Sequence, residues 1–116
     1  MTNIERRTNY LYLEYSESYT HQNYLAISKQ VAAICQAENY KKVLVNASKM
    51  VGKVKPLERF EIGVKGALIF RNRVKIAVIY RKEEIDWFAE TVSVNRGLNA
   101  KIFSELHEAM KWLEVE

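Results

Sequence analysis

The chain has few of the residues that mark small secreted or fibrous proteins. Its 116 residues include one cysteine, one proline and four glycines. The single cysteine, Cys35, cannot form an internal disulfide, which favours a reducing compartment. No apolar run approaches the roughly 18 residues of a membrane-spanning helix, and no apolar stretch follows the basic pair near the start. We therefore expect a cytoplasmic protein with no signal peptide and no membrane insertion.

The composition is that of one ordinary globular domain. Apolar types make up 48% of the residues and charged types 28%, close to the average for soluble domains. A chain of this length buries enough apolar surface to form a core without disulfides or metals. We therefore expect one domain over residues 1–116, in which residues 1–8 form a flexible terminus or a short edge strand.

Strand and helix patterns alternate along the chain. Strand patterns occur at residues 9–14, 42–46, 74–80 and 100–103. Helical stripes of apolar residues predict four helices. The first begins after Thr20 and ends at about Glu38, and the second begins at Pro56. The third follows Asp86 and ends at Gly97, and the last begins after Ser104. Strict alternation requires crossovers that return each strand parallel to the previous one. The pattern therefore predicts an α/β fold.

The apolar stripes also predict which side of each helix is buried. In the second helix the stripe contains Leu57, Phe60, Val64, Ala67 and Leu68, and in the last helix it contains Leu106, Ala109, Met110 and Leu113. We expect both stripes to face the core.

Four segments resemble a known family in order and in spacing. They are Leu-Glu-Arg-Phe-Glu-Ile-Gly at 57–63, Lys-Ile-Ala-Val-Ile-Tyr at 75–80, Glu-Thr-Val-Ser-Val-Asn-Arg-Gly at 90–97, and residues 102–113. Together they resemble the SpoIIAA-like family, small bacterial proteins related to the STAS fold of anti-sigma-factor antagonists. The resemblance implies a four- to five-stranded, mainly parallel sheet with about four helices, largely on one side. It also implies a homodimer and a non-enzymatic module that binds a protein partner or a small ligand.

The resemblance directs attention to one serine. Some STAS domains are switched by phosphorylation of a serine at the start of the helix that follows a central strand. The matching region here is Asn-Ala-Ser-Lys at residues 46–49. Because the Asp-Ser pair of the antagonists is absent, phosphorylation of Ser48 stays an open question.

Charge is distributed unevenly along the chain. Residues 41–82 contain twelve Lys/Arg and two Asp/Glu, whereas residues 83–116 contain three and eight. Such a basic block either binds an acidic partner or anionic ligand, or forms a solvated face, since it extends over several elements. Ligands of open α/β sheets lie beyond the carboxyl ends of the strands. One such end continues into residues 48–55, whose candidate contacts for a partner or a small anionic ligand are Ser48, Lys49, Lys53 and Lys55.

Three further residues have both a functional and a structural interpretation. Arg96 is either a bidentate clamp for a carboxylate or phosphate, or a basic residue at the negative end of a helix. Tyr10 and Tyr12 lie opposite Leu11 and Leu13 on the first strand, so we expect the two rings to face outwards if the leucines face the core. There they would line a dimer contact or a ligand groove, or pack on a half-exposed sheet edge.

Catalytic, metal and cofactor sites find little support. Cys35 lies on an apolar stripe and is better explained as a core residue, and two histidines with one cysteine match no zinc pattern. The carboxylates of Asp86 and Glu90 are one helical turn apart, but a helix cap and a solvated side chain explain them better. We expect no enzyme, no cofactor and no nucleic acid partner. The alternative function is a carrier of a small-molecule or lipid-like ligand in a pocket beneath the helices.

Overall fold

A computed structural model describes residues 2–71, 73–85 and 97–116. Its elements are β1 (Asn3–Arg6), β2 (Leu11–Glu14), α1 (His21–Glu38), β3 (Lys42–Asn46), α2 (Pro56–Phe70), β4 (Lys75–Ile79), a short 3₁₀ helix (Lys82–Glu84), β5 (Asn99–Phe103) and α3 (Leu106–Leu113). The helix predicted after Asp86 lies outside the described residues, so three α-helices rather than four are seen in the described part. No helix of that part is long and apolar enough to cross a membrane.

The five strands form one sheet in the order of the sequence, β1-β2-β3-β4-β5. Strands β2 to β5 are parallel to their neighbours, and β1 pairs antiparallel with β2 at the edge. The prediction of an α/β fold with a mainly parallel sheet is confirmed. Residues 3–6 provide the edge strand.

Strand order determines where the helices lie. Because each parallel strand is added beside the previous one, right-handed crossovers bring their helices to the same face. Accordingly α1 and α2 contact each other on one face of the sheet. Helix α3 follows the last strand and is not a crossover, and it packs against β3, β4 and β5 on the opposite face.

The core therefore has two layers, one on each face of the sheet. Alternate strand residues supply them, as the period of two requires. The layer under α1 and α2 contains Leu11, Leu13, Val43, Val45 and Ile76 with Val31, Cys35 and Ala67. The layer under α3 contains Tyr10, Tyr12, Leu44, Ala77 and Ile79 with Ala109, Leu113 and Val115.

The second layer corrects the expectation for the two tyrosines. Tyr10 is 2% exposed and Tyr12 is 8% exposed, because α3 covers the face that they share. The guanidinium of Arg7 lies 4.3 Å from the centre of the Tyr12 ring and donates to the Tyr10 hydroxyl at 2.6 Å. The prediction that these rings form an exposed dimer or groove surface is wrong.

The helix starts agree with the sequence at two of three positions. Thr20 caps α1 by accepting a 3.2 Å hydrogen bond from the backbone N–H of Asn23, and Pro56 is the first residue of α2. The prediction that Ser104 caps the last helix is wrong. Helix α3 begins at Leu106, so Glu105 occupies the capping position and makes no side-chain capping bond.

Helix α2 is turned differently from the prediction. Leu57 and Leu68 are 70% and 69% exposed, and Phe60 is exposed as well. The helix instead buries Gly63 and Ala67 towards α1 and the sheet. The predicted buried stripe of α2 is therefore wrong at Leu57, Phe60 and Leu68, because the helix is turned so that Gly63 and Ala67 face the core. Ala67 is buried as predicted, and Val64 is half-buried.

The orientation of α3 can be tested with two matched substitutions. Leu113 is fully buried, whereas Leu106 is 44% exposed despite its place in the predicted stripe. Leu113→Ala should lower the free energy of unfolding by about 2–5 kcal/mol. Leu106→Ala should lower it by about 1 kcal/mol or less. Urea denaturation of both variants measures the difference, and equal losses would contradict the orientation.

Candidate functional site

The residues that connect β3 to α2 form a loop at the carboxyl edge of the sheet; we call residues 48–55 the lysine loop. Its start is tied to β4 because the backbone N–H of Ala47 donates to the carbonyl of Ile79 at 2.9 Å. Its middle is tied to the segment before α1. There Val51 donates to the carbonyl of Glu17 at 3.1 Å and accepts from the N–H of Tyr19 at 2.8 Å. The loop therefore has a defined path across the edge of the sheet.

Arg81, which follows β4, anchors the lysine loop through hydrogen bonds to its backbone. Its guanidinium donates to the carbonyl of Met50 and to that of Gly52, the second at 3.0 Å. It also lies 4.8 Å from the centre of the Tyr80 ring and donates to the Tyr80 hydroxyl at 3.2 Å. A planar guanidinium can bridge two carbonyls in this way, whereas a lysine ammonium is a single point charge.

Sequence reasoning missed Arg81. Its only signal is its position directly after a central strand, where the carboxyl ends of parallel strands meet. No residue type or spacing separates it from the other basic residues of 41–82.

The turn of the loop requires its glycine. Gly52 has φ of +96°, in the left-handed region that side chains rarely adopt. A Cβ there would have no heavy atom within 4 Å, so the constraint comes from the backbone and not from crowding.

The loop buries its apolar side chains and exposes its charged ones. Met50 and Val54 are buried against Tyr15 and Ala47 in a small cluster at the strand ends. Between them Val51 is exposed, as is Leu57 in the first turn of α2. The inner side thus fixes the loop on the core, and the outer side combines positive charge with apolar surface.

Three of the predicted contacts are exposed lysines of this loop. The side chains of Lys49 and Lys53 are 72% and 78% exposed, and Lys55 is exposed too. Lys49 lies 3.8 Å from a carboxylate oxygen of Glu14, and Lys53 lies 3.8 Å from one of Glu84. Exposed pairs at this distance contribute little, so the ammonium groups can exchange these carboxylates for those of another molecule. Arg96 lies outside the described residues.

Ser48 takes part in a turn. It is half-buried, and its hydroxyl and backbone N–H both donate to the side-chain oxygen of Asn46, at 2.6 and 3.1 Å. The Asn46 amide donates in turn to the Tyr12 hydroxyl at 3.1 Å. Helix α2 begins only at Pro56, so Ser48 does not lie at a helix N-terminus. The free N–H groups of a helix start, which would stabilise a phosphate, are therefore not beside it.

A second polar group links α1 to α2. The Nδ1 atom of His21 lies 2.8 Å from the Tyr19 hydroxyl, and its Nε2 atom lies 3.2 Å from the Glu61 carboxylate. The same carboxylate pairs with Lys65 at 3.4 Å. In the tautomer whose Nε2–H donates a hydrogen bond to Glu61, Nδ1 accepts a hydrogen bond from the Tyr19 hydroxyl. Burial raises the pKa of Tyr19, so its hydroxyl remains a neutral donor. The sequence offered no signal for this group, because His21 and Glu61 are 40 residues apart.

Cys35 belongs to the core. It is buried, and burial raises the pKa of its thiol to about 11, so the thiolate is scarce at neutral pH. In the part of the chain that the structure describes, no three His, Cys, Asp or Glu side chains are grouped as metal ligands.

A cavity of about 160 Å³ lies behind the lysine loop, between α1, α2 and the sheet. Its lining among the described residues is mainly apolar. Met50 and Val54 of the loop form part of the wall.

Two solved structures are similar to the whole described fold. One, an anti-sigma factor antagonist from Mycobacterium paratuberculosis, has a TM-score of 0.67 at 10% identity, covering 98% of this chain and 93% of that one. The other, an uncharacterised DUF3478-family protein with a SpoIIAA-like fold from Shewanella loihica PV-4, has a TM-score of 0.56 at 18% identity, covering 97% and 92%. Neither the protein-family models nor the curated proteins gave a match. At these identities the likeness shows a shared fold.

The role of Arg81 can be tested with two substitutions. Arg81→Ala should lower the free energy of unfolding by about 1.5–3 kcal/mol, because two carbonyls lose a charged donor. It should also speed amide hydrogen exchange at residues 50–53. Arg81→Lys should restore little of the lost stability and little of the protection from exchange, since one ammonium cannot hold both carbonyls. Full rescue by lysine would show that charge alone anchors the loop.

Proposed function

We propose that this chain, which has the STAS/SpoIIAA-like fold, is a non-enzymatic regulatory module of the cytoplasm that binds a protein partner. The binding surface is the outer side of the lysine loop with the first turn of α2. One observation carries the proposal: three exposed lysines and the exposed Val51 lie on a loop whose backbone Arg81 anchors, and the exposed Leu57 follows in the first turn of α2.

The chemistry of this surface suits an acidic protein partner. Its ammonium groups would pair with carboxylates and speed association, while Val51 and Leu57 provide the apolar contact that a stable interface needs. Because Arg81 and the buried Met50 already hold the loop, little conformational entropy is lost when a partner binds. A small anion would use the charges but not the apolar side chains.

The comparison of folds supports a protein partner. The Mycobacterium paratuberculosis protein is described as an antagonist of an anti-sigma factor, and it shares the fold over nearly the whole chain. The sequence resemblance points the same way, since it implies an interaction module and no enzyme.

Charge reversal tests the lysine loop. The variant K49E/K53E/K55E should lose at least about tenfold in capture of its acidic partner, because each carboxylate of the partner then meets a like charge. The control K29E/K41E/K111E changes the net charge equally at exposed lysines elsewhere and should capture the partner as the wild type does. Quantitative pull-down at two salt concentrations measures the effect, with circular dichroism to verify folding. Equal capture by the two triple variants would remove the loop from the proposal.

The homodimer implied by the resemblance is a second part of the proposal. The part of α2 beyond its first turn favours it, because Phe60 and Leu68 lie on one helix face and are both exposed. A second copy of the chain would bury this stripe against its own.

Oligomeric state tests the dimer. Light scattering after gel filtration should give twice the chain mass of 13.6 kDa for the wild type. Leu68→Glu should give the monomer mass, because a carboxylate would be buried between the two copies. Ala37→Glu, at an exposed position of α1, serves as the control and should remain dimeric. A monomeric wild type would exclude the dimer without affecting the lysine loop.

A further inference from the structure

We propose that the cavity between α1, α2 and the sheet is a binding site for a small, neutral, apolar molecule about the size of benzene or indole. Strand and loop residues form much of its described wall together with the two helices. Representative lining residues are Leu13, Val45, Met50, Ile62, Val78 and Ala100.

The volume determines the size of the ligand. Protein interiors are close-packed and hold few voids larger than a water molecule, whereas this partly open space measures about 160 Å³. An apolar cavity of roughly 150 Å³ in another protein stays dry and binds benzene. Pockets for drug-sized ligands measure about 300–1,000 Å³. A lipid chain or a nucleotide is therefore too large to be enclosed in this space.

The lining determines the chemistry of the ligand. The two charged residues in the described lining, Arg59 and Glu84, are already engaged at the loop side. Arg59 donates through Nε to the Val54 carbonyl at 3.0 Å, and Glu84 pairs with Lys53. A charged ligand would lose its hydration without gaining a buried partner. Burial raises the pKa of Tyr24, which also lines the cavity, to about 12, so its hydroxyl stays neutral.

Helix α2 leaves this space open where a larger residue would fit. Gly63 and Gly66 both line the cavity. A Cβ at Gly66 would lie 3.7 Å from Cδ2 of Leu98, an ordinary contact distance. Alanine would also stabilise the helix relative to glycine. The glycine at this position therefore avoids no clash, and its effect is to enlarge the cavity.

The same cavity borders the lysine loop from inside. Met50 and Val54 have their side chains in its wall and their backbone in the loop. A bound molecule would add contacts to both side chains and slow the opening of residues 50–54. Control of partner binding by the ligand rests on the proposed function, whereas the binding site itself does not.

The wild-type protein tests the site with benzene and indole as probes. Methyl NMR titration should show saturable shifts at Met50, Val54 and Ile62, and amide exchange of residues 50–54 should slow on saturation. Benzoate should bind at least about tenfold more weakly, because its carboxylate has no partner in the cavity. Tighter binding of dodecanoate than of indole would overturn the proposed ligand class in favour of a lipid. Shifts that are absent, or that do not saturate, would overturn the site.

Filling the cavity provides a second test. Ala100→Leu places three further carbons in the space and should weaken binding of indole by about tenfold or more. Ala26→Leu, the same change at an exposed position of α1, should leave binding unchanged. Should Ala100→Leu fail to fold, Gly66→Ala should weaken indole binding while raising the unfolding midpoint. Unchanged binding in the filled variants would contradict the proposal.

The charge-reversal variant K49E/K55E, which keeps the pair between Lys53 and the cavity-lining Glu84, separates the two proposals. It should bind benzene as the wild type does, because its changes lie on the outer side of the loop. Loss of partner capture with benzene binding intact would leave the cavity site standing. Absence of benzene binding with normal partner capture would overturn the cavity site alone.

Discussion

The sequential order of four parallel strands is the constraint on which the rest of the structure depends. Each crossover in such a sheet must be right-handed, so α1 and α2 share one face. Of the helices in the described ranges, the one after the last strand alone is free to cover the other face. The packing of α3 on that face makes the sheet buried on both sides, and it also removes Tyr10 and Tyr12 from the surface.

The same order creates the candidate site. With β3 and β4 adjacent and parallel, the residues that follow β4 lie next to the loop that leaves β3. Arg81, the second residue after β4, bridges the carbonyls of Met50 and Gly52. A loop held in this way can expose its lysines without becoming disordered. The positive charge of residues 41–82 is therefore presented, in part, on a fixed backbone.

Periodicity predicted the elements well but not which surfaces are covered. The strand at residues 42–46 and the end of α1 at Glu38 agree with the sequence, because both depend on local pattern. A period of two shows that a strand has two faces, yet it cannot show that a distant helix covers the second one. This is why Tyr10 and Tyr12 were wrongly predicted to face outwards. The lysines of the loop were predictable from charge and position. Arg81 and the contact of His21 with Glu61 were not, because each joins segments far apart in the sequence.

The orientation of α2 links the exposed stripe to the cavity. Turning Gly63 and Gly66 towards the sheet necessarily turns Leu57 and Leu68 towards solvent, since these residues lie on different sides of one helix. Full burial of a leucine stabilises a fold by about 1.5–3 kcal/mol. The isolated chain lacks much of this stabilisation at Leu57 and Leu68. It also leaves the space beneath the glycines unfilled. Both losses would be offset if a second copy covered the stripe and a small molecule filled the cavity, as we propose, and α2 would then be the element where binding and folding are most closely connected.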